Sequence, residues 1–153
     1  MDLLVAAAPT ICKKFPNVRF LVGGDGPKLI DLLQMREKHQ LEDRIELLGA
    51  VDHSQVCAVL TTGSIYLNVS LTEAFGIGLL EAACAGLYVV STRVGGVPEV
   101  LPDDMISFAY PNEEGPFHRI GLIQKLRVHR HSSGAFSCDS YCLRREARPF
   151  QSS

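Results

Sequence analysis

Two carboxylates, Glu73 and Glu81, stand in a stretch of sequence that is otherwise small and apolar, residues 72 to 90. Seven residues separate them. A helix is predicted over residues 76 to 86, so Glu73 precedes this helix and Glu81 lies more than one turn inside it. Both side chains can then face the region around its amino end. Carboxylates accept hydrogen bonds from hydroxyl groups, which indicates a ligand that carries sugar hydroxyls on either side of this region.

Gly76 and Gly78 occupy the predicted amino end of the same helix. Unpaired backbone N–H groups and the helix dipole make such an end a site for phosphate, and glycines let a ligand approach the backbone closely. Together with the two acids, this favours a ligand built from a sugar, a diphosphate and a ribose. The alternative is structural, because an acid before a helix is favoured by the dipole alone and a helical Glu is commonly solvated or ion-paired.

Helical and strand patterns alternate up to Pro111. Helices are predicted at 2–15, 27–41, 55–62 and 76–86, and strands at 17–24, 44–51, 64–70, 87–92 and 105–109. This alternation predicts an α/β fold, a Rossmann-like and mainly parallel sheet with helices on both faces. Ligands of such sheets bind beyond the carboxyl ends of the strands.

Four short turns follow the predicted strands, at 23–26, 49–51, 70–76 and 93–99. The first is no dinucleotide fingerprint, because Leu29 stands where the third glycine would be, and we interpret Asp25 as part of a tight strand–helix turn. Two interpretations of Gly95 and Gly96 stay open. They let a substrate approach the backbone, or they serve a structural loop that needs the same glycines. His53 is interpreted as a surface or capping residue.

The charge of the chain changes near its two-thirds point. Residues 1–114 hold 8 Lys/Arg and 15 Asp/Glu, whereas residues 115–153 hold 7 Lys/Arg and 2 Asp/Glu. The second part is rich in Arg, Ser and His and shows no sustained period. We therefore predict a folded domain over residues 1–111, followed by a divergent basic tail over 112–153 that is disordered and unnecessary for the stability of the domain.

Composition argues against several classes of protein. The chain has no Trp and 7% aromatic residues, so no nucleic-acid partner that stacks on aromatic side chains is predicted. No apolar run approaches the ~20 residues of a membrane-spanning helix. The odd count of 5 Cys argues against a disulfide framework and favours a reducing compartment. No metal site is predicted, because these ligand-type residues fit no common zinc spacing: His129, His131, Cys138 and Cys142.

Several collinear stretches carry a resemblance to a known family. The stretch SLTEAFGIGLLEAACAGLYVVSTRVGGVPE resembles the Glu-x7-Glu signature of the retaining, two-Rossmann-domain glycosyltransferases of family 4. The stretches FPNVRFLVGGDGPK, LLGAVDHSQV, LNVSLTEAF and STRVGGVPEVLPDD resemble most closely the members that make the first intermediate of the glycosylphosphatidylinositol (GPI) anchor. The resemblance covers about residues 2–111 and implies the C-terminal, donor-binding domain of a two-domain enzyme.

This resemblance implies a role for each candidate site residue. Glu73 is implied to contact the donor sugar near the reacting carbon, and Glu81 to accept hydrogen bonds from the ribose hydroxyls. The loop at Ala50 and Val51 is implied to meet the uracil through its backbone. The diphosphate is implied to be held by the backbone of four successive residues: Phe75, Gly76, Ile77 and Gly78.

The same resemblance implies a reaction and its partners. The reaction is transfer of N-acetylglucosamine from UDP-N-acetylglucosamine to phosphatidylinositol, with retention at the anomeric carbon. Neither a metal nor another cofactor is implied. Phosphatidylinositol is expected to bind a preceding domain, and other subunits of the N-acetylglucosaminyltransferase complex are the expected protein partners. The resemblance implies a location at the cytosolic face of the endoplasmic reticulum membrane, and the alternative is a soluble cytoplasmic chain, because no transmembrane segment is predicted.

The chain corresponds to only part of such an enzyme. It begins after the strand and the Arg…Lys-Gly turn that precede this helix in the family, where the two cations pair with the donor diphosphate. The domain at residues 1–111 is therefore expected to be an incomplete nucleotide-sugar-binding domain that does not transfer sugar alone. The alternative is a non-catalytic, truncated isoform that binds partner subunits or binds nucleotide weakly.

Overall fold

The computed structural model describes residues 2–109 and the backbone of residues 141–145. Helices and strands alternate along the first of these ranges, and a strand forms the second. The helices are α1 Asp2–Lys14, α2 Leu29–Lys38, α3 His53–Thr61 and α4 Ile77–Cys84. The strands are β1 Val18–Gly23, β2 Ile45–Gly49, β3 Ile65–Asn68, β4 Tyr88–Thr92, β5 Ile106–Ala109 and β6 Tyr141–Arg145. A single 3₁₀ turn, Val97–Glu99, follows β4.

The strands form one sheet in the order β2-β1-β6-β3-β4-β5. β1 pairs in parallel with β2, and β4 pairs in parallel with both β3 and β5. Because these strands run in the same direction, their carboxyl ends and the turns that follow them meet at one edge of the sheet. The predicted α/β fold with a mainly parallel sheet is confirmed.

Helices cover both faces of the sheet, as predicted. On one face the buried side chains of α1 and α2 pack with those of the central strands: Leu4, Ile11, Leu32, Phe20, Val22 and Leu67. On the opposite face the buried side chains of α3 and α4 pack with those of the strands in a second apolar cluster: Leu21, Leu60, Leu79, Val89 and Ile106. Successive residues of β1 therefore point to different faces, since side chains alternate along a strand.

Local sequence explains where several helices begin and end. Asp52 caps α3, because its Oδ1 accepts a hydrogen bond from the backbone N–H of Ser54 at 2.9 Å. The sequence alone predicted that either Asp52 or Ser54 caps this helix, without deciding between them. α2 begins at Leu29, two residues later than Pro27 predicts, since the intervening residues form a turn. Gly86, with φ of 83°, follows α4 in the left-handed conformation expected of a helix end.

The strand β6 lies inside the segment that the sequence predicts to be a disordered tail. At Tyr141–Arg145 the structure instead has a strand that pairs antiparallel with both β1 and β3. A run of five residues is too short to show a period in sequence, and the two neighbouring strands determine its conformation through backbone pairing. The remainder of the predicted tail, residues 112–140 and 146–153, lies outside the described residues, as do His129, His131 and Cys138.

Among the described residues, no helix combines the length and the apolar character needed to cross a membrane. Within residues 3–109 the three cysteines are free thiols. Cys12 is buried, Cys57 is half-buried and Cys84 is exposed.

Candidate functional site at the amino end of α4

The loop between β3 and α4 brings Glu73 to the amino end of the helix. One oxygen of its carboxylate, Oε1, accepts a hydrogen bond from the backbone N–H of Gly76 at 3.1 Å. Gly76 adopts the left-handed conformation, with φ of 80°, and its carbonyl accepts from the backbone N–H of Leu79 at 2.9 Å. The side chain of Glu73 is thus oriented by the loop, and it lies beside the helix end, where the sequence placed it.

Glu81 occupies a different environment. It lies inside α4 and is 3% exposed, which is unusual for an acid, since Glu side chains are almost never fully buried unless paired. Gly78, one turn earlier, is also buried, so the two residues share the side of α4 that faces the protein. Burial of a carboxylate is costly unless hydrogen-bond donors surround it. Glu81 is therefore not the solvated helical Glu of the structural alternative.

The four residues at the start of α4 alternate between exposed and buried. Phe75 and Ile77 are 55% and 51% exposed, whereas Gly76 and Gly78 are buried. The two large apolar side chains therefore project into solvent while the glycines keep the backbone against the protein. Leu71, earlier in the same loop, is 54% exposed. The loop and the first residue of α4 therefore carry three exposed apolar side chains.

Gly95 and Gly96 pack against the loop that carries Glu73. A Cβ atom added at Gly95 would lie 1.8 Å from the carbonyl oxygen of Glu73, and one added at Gly96 would lie 2.3 Å from that of Ala74. Gly96 also donates its backbone N–H to the Glu73 carbonyl at 3.2 Å. Of the two interpretations of these glycines, the structure supports the structural one, because the close approach is to the chain's own backbone.

A buried polar cluster, which the sequence patterns did not indicate, holds the start of the loop between β3 and α4 through hydrogen bonds. Asn68, the last residue of β3, and Ser91, the last but one of β4, are both buried, and Asn68 Nδ2 donates a hydrogen bond of 3.0 Å to Ser91 Oγ. Asn68 Oδ1 accepts from the backbone N–H of Ser70, and Thr92 Oγ1 donates to the Ser70 carbonyl. The sequence does contain a signal for this cluster, because polar residues stand at the ends of two apolar strand segments, LNVS and VVST.

The second candidate contact region follows β2. Ala50 is exposed, and Val51 is half-buried against the apolar cluster of α3 and α4. The carbonyl of Gly49 accepts from the backbone N–H of Gly24 at 2.7 Å, which ties the turn after β2 to the turn after β1. Three strand spacings separate β2 from β3 in the sheet, or roughly 14 Å. A ligand that contacts both loops must therefore be extended.

Two other residues considered in the sequence, Asp25 and His53, are exposed. Asp25 is exposed in the turn between β1 and α2, in agreement with its interpretation as a turn residue. His53 is an exposed residue at the start of α3. In the described part of the chain, no three His, Cys, Asp or Glu side chains are grouped as metal ligands.

The sequence profile of "Glycosyl transferases group 1" matches residues 1–118. The chain belongs to this glycosyl transferase family. The match includes every residue of the loop and helix just described. The predicted relationship to glycosyltransferases is confirmed, and with it the assignment of this chain to a group of enzymes that transfer sugars.

Curated relatives of this glycosyl transferase chain carry more specific names. A subunit of phosphatidylinositol N-acetylglucosaminyltransferase from Arabidopsis thaliana is 65% identical over 113 residues, a match that covers 74% of this chain and 25% of the relative. The human subunit of the same name is 53% identical over 112 residues, with 73% and 23% covered. The chain thus spans about a quarter of the length of the curated relatives it matches.

Solved structures agree with the glycosyl transferase fold. HepE from Anabaena, solved with UDP, superposes with a TM-score of 0.68 at 19% identity and covers 82% of this chain and 35% of its own. The pneumococcal O-GlcNAc transferase GtfA, solved with UDP and GlcNAc, superposes with a TM-score of 0.62 at 24% identity and covers 83% and 27%. At these identities the likeness establishes the fold.

Proposed function

We propose that this chain is the donor-binding part of a glycosyltransferase that moves N-acetylglucosamine from UDP-N-acetylglucosamine to phosphatidylinositol, the first step of GPI-anchor synthesis. The observation that carries the proposal is the pair of acids at the amino end of α4, Glu73 in the loop and Glu81 buried in the helix. Relatives that are 53% and 65% identical over this region are named as subunits of phosphatidylinositol N-acetylglucosaminyltransferase, which supports this proposal.

Glu81 is assigned to the ribose. Its buried carboxylate can accept hydrogen bonds from two neighbouring hydroxyls, and such bonds to a charged acceptor are stronger than neutral ones. A ribose hydroxyl pair would add donors to an acid that the fold has already removed from bulk water. This contact would exist with UDP alone as well as with the complete donor, because both contain the ribose.

Glu73 is assigned to the transferred sugar. Positive charge develops at the anomeric carbon as the diphosphate leaves, and a fixed carboxylate nearby lowers the energy of that state more than that of the ground state. The hydrogen bond from Gly76 N–H fixes one oxygen of Glu73, which leaves the second oxygen to face the sugar. The expected consequence is an effect on turnover with little effect on UDP binding.

The diphosphate is assigned to the backbone at Phe75, Gly76, Ile77 and Gly78, and the uracil to the backbone at Ala50 and Val51. Because the Gly76 N–H already bonds to Glu73, the N–H groups assigned to the diphosphate are those of Phe75, Ile77 and Gly78. The positive end of the α4 dipole lies beside them, so the leaving diphosphate needs no metal in this proposal. The roughly 14 Å between the two loops suits an extended base–ribose–diphosphate–sugar ligand.

The acceptor and the protein partners are assigned to parts of the complete enzyme beyond these residues. Phosphatidylinositol is assigned to a preceding domain of the complete enzyme, and the named relatives are subunits, which supports assembly with other subunits of an N-acetylglucosaminyltransferase complex. The proposed location is the cytosolic face of the endoplasmic reticulum. The second candidate is a non-catalytic chain that binds nucleotide or partner subunits.

A membrane assay separates the two candidates. Residues 2–111 replace the matched region of the Arabidopsis relative, and radiolabelled UDP-N-acetylglucosamine is added to membranes that lack the native relative. We expect the chimera to restore transfer to phosphatidylinositol and the 153-residue chain alone not to. Glu73→Gln in the chimera should abolish most transfer, whereas Glu37→Gln, an exposed position on α2, should not. Full turnover by the Glu73→Gln chimera would remove this acid from the mechanism, and a chimera that is folded but inactive would refute the proposed transfer.

A further inference from the structure

We propose that the position between β1 and β3 is a strand-binding slot, which β6 fills from its own chain and which accepts an added peptide of the same sequence. The proposal concerns the sheet and does not depend on the sugar-transfer function. It rests on three features of strand pairing: direction, order and register.

Direction distinguishes β6 from the other described strands. Each of the pairs β1–β2, β3–β4 and β4–β5 is parallel, whereas β6 is antiparallel to both of its neighbours. An antiparallel strand in the middle of a parallel sheet departs from the usual arrangement, in which antiparallel strands join such sheets at an edge.

The order of the strands in the sheet indicates which direction of strand the slot is suited to hold. Without β6 the order reads β2-β1, a gap one strand wide, and then β3-β4-β5. The doubly wound order 3-2-1-4-5-6 has the same form, with its first strand in the gap and a crossover helix leading from that strand to the second. Here α1 directly precedes β1 and packs against it, in the place of that crossover helix. The two edges of the gap are therefore arranged for a parallel strand, and β6 occupies it in the opposite direction.

Register shows that β6 fits one edge better than the other. Along β1 the pairing runs through five residues, from Val18 opposite Arg145 to Val22 opposite Tyr141. Along β3 it covers two, Ile65 opposite Leu143 and Tyr66 opposite Cys142. The pairing of β3 with β4, by contrast, covers all four residues of β3. An occupant that matches one edge only in part is replaceable by another strand.

With β6 in place, both strands that border the slot are buried. The side chains of β3 are buried throughout, and those of β1 are buried at every position from Val18 to Gly23 except Arg19. Backbone N–H and C=O groups in such a place require hydrogen-bond partners. The partner that supplies them is an extended segment, and the one whose sequence is known to fit is β6 itself.

The test begins with a proline in β6 of the full chain. Leu143 pairs with both β1 and β3, so Leu143→Pro removes a ladder donor at the centre of the slot. Gln151→Pro, outside the strand, is the matched control. Amide hydrogen exchange is followed by mass spectrometry. We expect exchange in β1 and β3 to accelerate at least about tenfold in Leu143→Pro, with β4 and β5 less affected and the control unchanged. Unchanged protection of β1 and β3 would overturn the proposal.

The second arm supplies the strand from outside. A labelled synthetic peptide of residues 139–147 is added in excess to the Leu143→Pro chain, with a scrambled peptide as control. We expect the native peptide to bind and to restore exchange protection in β1 and β3, including the case in which the variant is globally unfolded when alone. Failure of the native peptide to bind, or equal binding of the scrambled peptide, would show that the gap is no strand-binding slot.

Discussion

The carbonyl oxygen of Glu73 occupies the space where a side chain on Gly95 would begin. A Cβ atom there would lie 1.8 Å from this oxygen, and Gly95 has a φ of 51°, in the left-handed region. The turn after β4 thus contacts the loop after β3 directly, backbone against backbone. Because the contact is between two backbones, no rotation of a side chain can relieve the overlap.

Gly95→Ala should therefore displace the Glu73 loop. The left-handed conformation alone costs a non-glycine residue about 1–3 kcal/mol, and the overlap adds to it. Gly26→Ala is the matched control, since a Cβ there meets nothing within 4 Å. We expect thermal denaturation to show a clear loss of melting temperature for Gly95→Ala and little for Gly26→Ala. Equal melting temperatures for the two variants would contradict the described contact.

Glu81→Gln should weaken UDP binding more than Glu73→Gln does. Ribose belongs to UDP and to the complete donor, whereas the transferred sugar belongs only to the donor. Loss of one hydrogen bond to a charged group costs about 1.5–3 kcal/mol, or roughly a 10- to 150-fold rise in Kd. Isothermal titration calorimetry with UDP measures the difference, with Glu37→Gln as the control. Equal Kd values for the Glu73 and Glu81 variants would refute these assignments.

The cap of α3 should make stability depend on pH. Hydrogen bonds from the Ser54 side chain and then from its backbone N–H hold the pKa of Asp52 below its ordinary value. A carboxyl whose pKa is lowered on folding stabilises the protein above its unfolded pKa of about 3.9, and this contribution is lost as pH falls through the folded pKa. Between pH 6 and pH 3, the wild type should lose more melting temperature than Asp52→Asn does.

Asp103→Asn, a change in the exposed turn before β5, is the control for that comparison. It should retain the pH dependence of the wild type, because the Asp52 cap remains. An Asp52→Asn variant that loses as much melting temperature as the wild type over this range would show that the cap does not contribute.

Cys12 should resist alkylation while Cys84 reacts. Burial raises the pKa of the Cys12 thiol, and the side chain is 3% exposed, so both the thiolate fraction and access to it are reduced. Cys84, at the end of α4, is exposed. Timed treatment with iodoacetamide at pH 8, followed by peptide mass spectrometry, compares the two. Labelling of Cys12 as fast as Cys84 would mean that α1 does not pack as described.

The sequence predicted the order of elements well because each of the main strands has a clear local pattern. β1, β3 and β4 are apolar runs that are bounded by turn residues, and such runs stay strands when both faces are buried. The acids Glu73 and Glu81 were singled out as candidates by their spacing within one loop and helix. The strand patterns and the spacing of the two acids each involve about ten neighbouring residues, which is the range over which sequence patterns are informative.

What the sequence could not show depends on residues that are distant in the chain. The contact of Gly95 with Glu73 and the hydrogen bond from Asn68 to Ser91 each join two separate loops or strands. The strand β6 has no pattern of its own, and its place is set by β1 and β3 rather than by its composition. Such long-range pairings depend on the assembled sheet, so local propensity does not specify them.

The position of β6 also has a consequence for the order in which the protein is made. Val18 pairs with Arg145, so the middle of the sheet joins residues that are far apart in the sequence. During synthesis β1 with β2, and β3 with β4 and β5, emerge first as two separate groups of strands. Closure across such a long separation is slow, and until it occurs each group presents an apolar open edge that can pair with another chain. We therefore expect the partly synthesised chain to need chaperones during translation. A chain that is released from the ribosome before β6 has been made should aggregate.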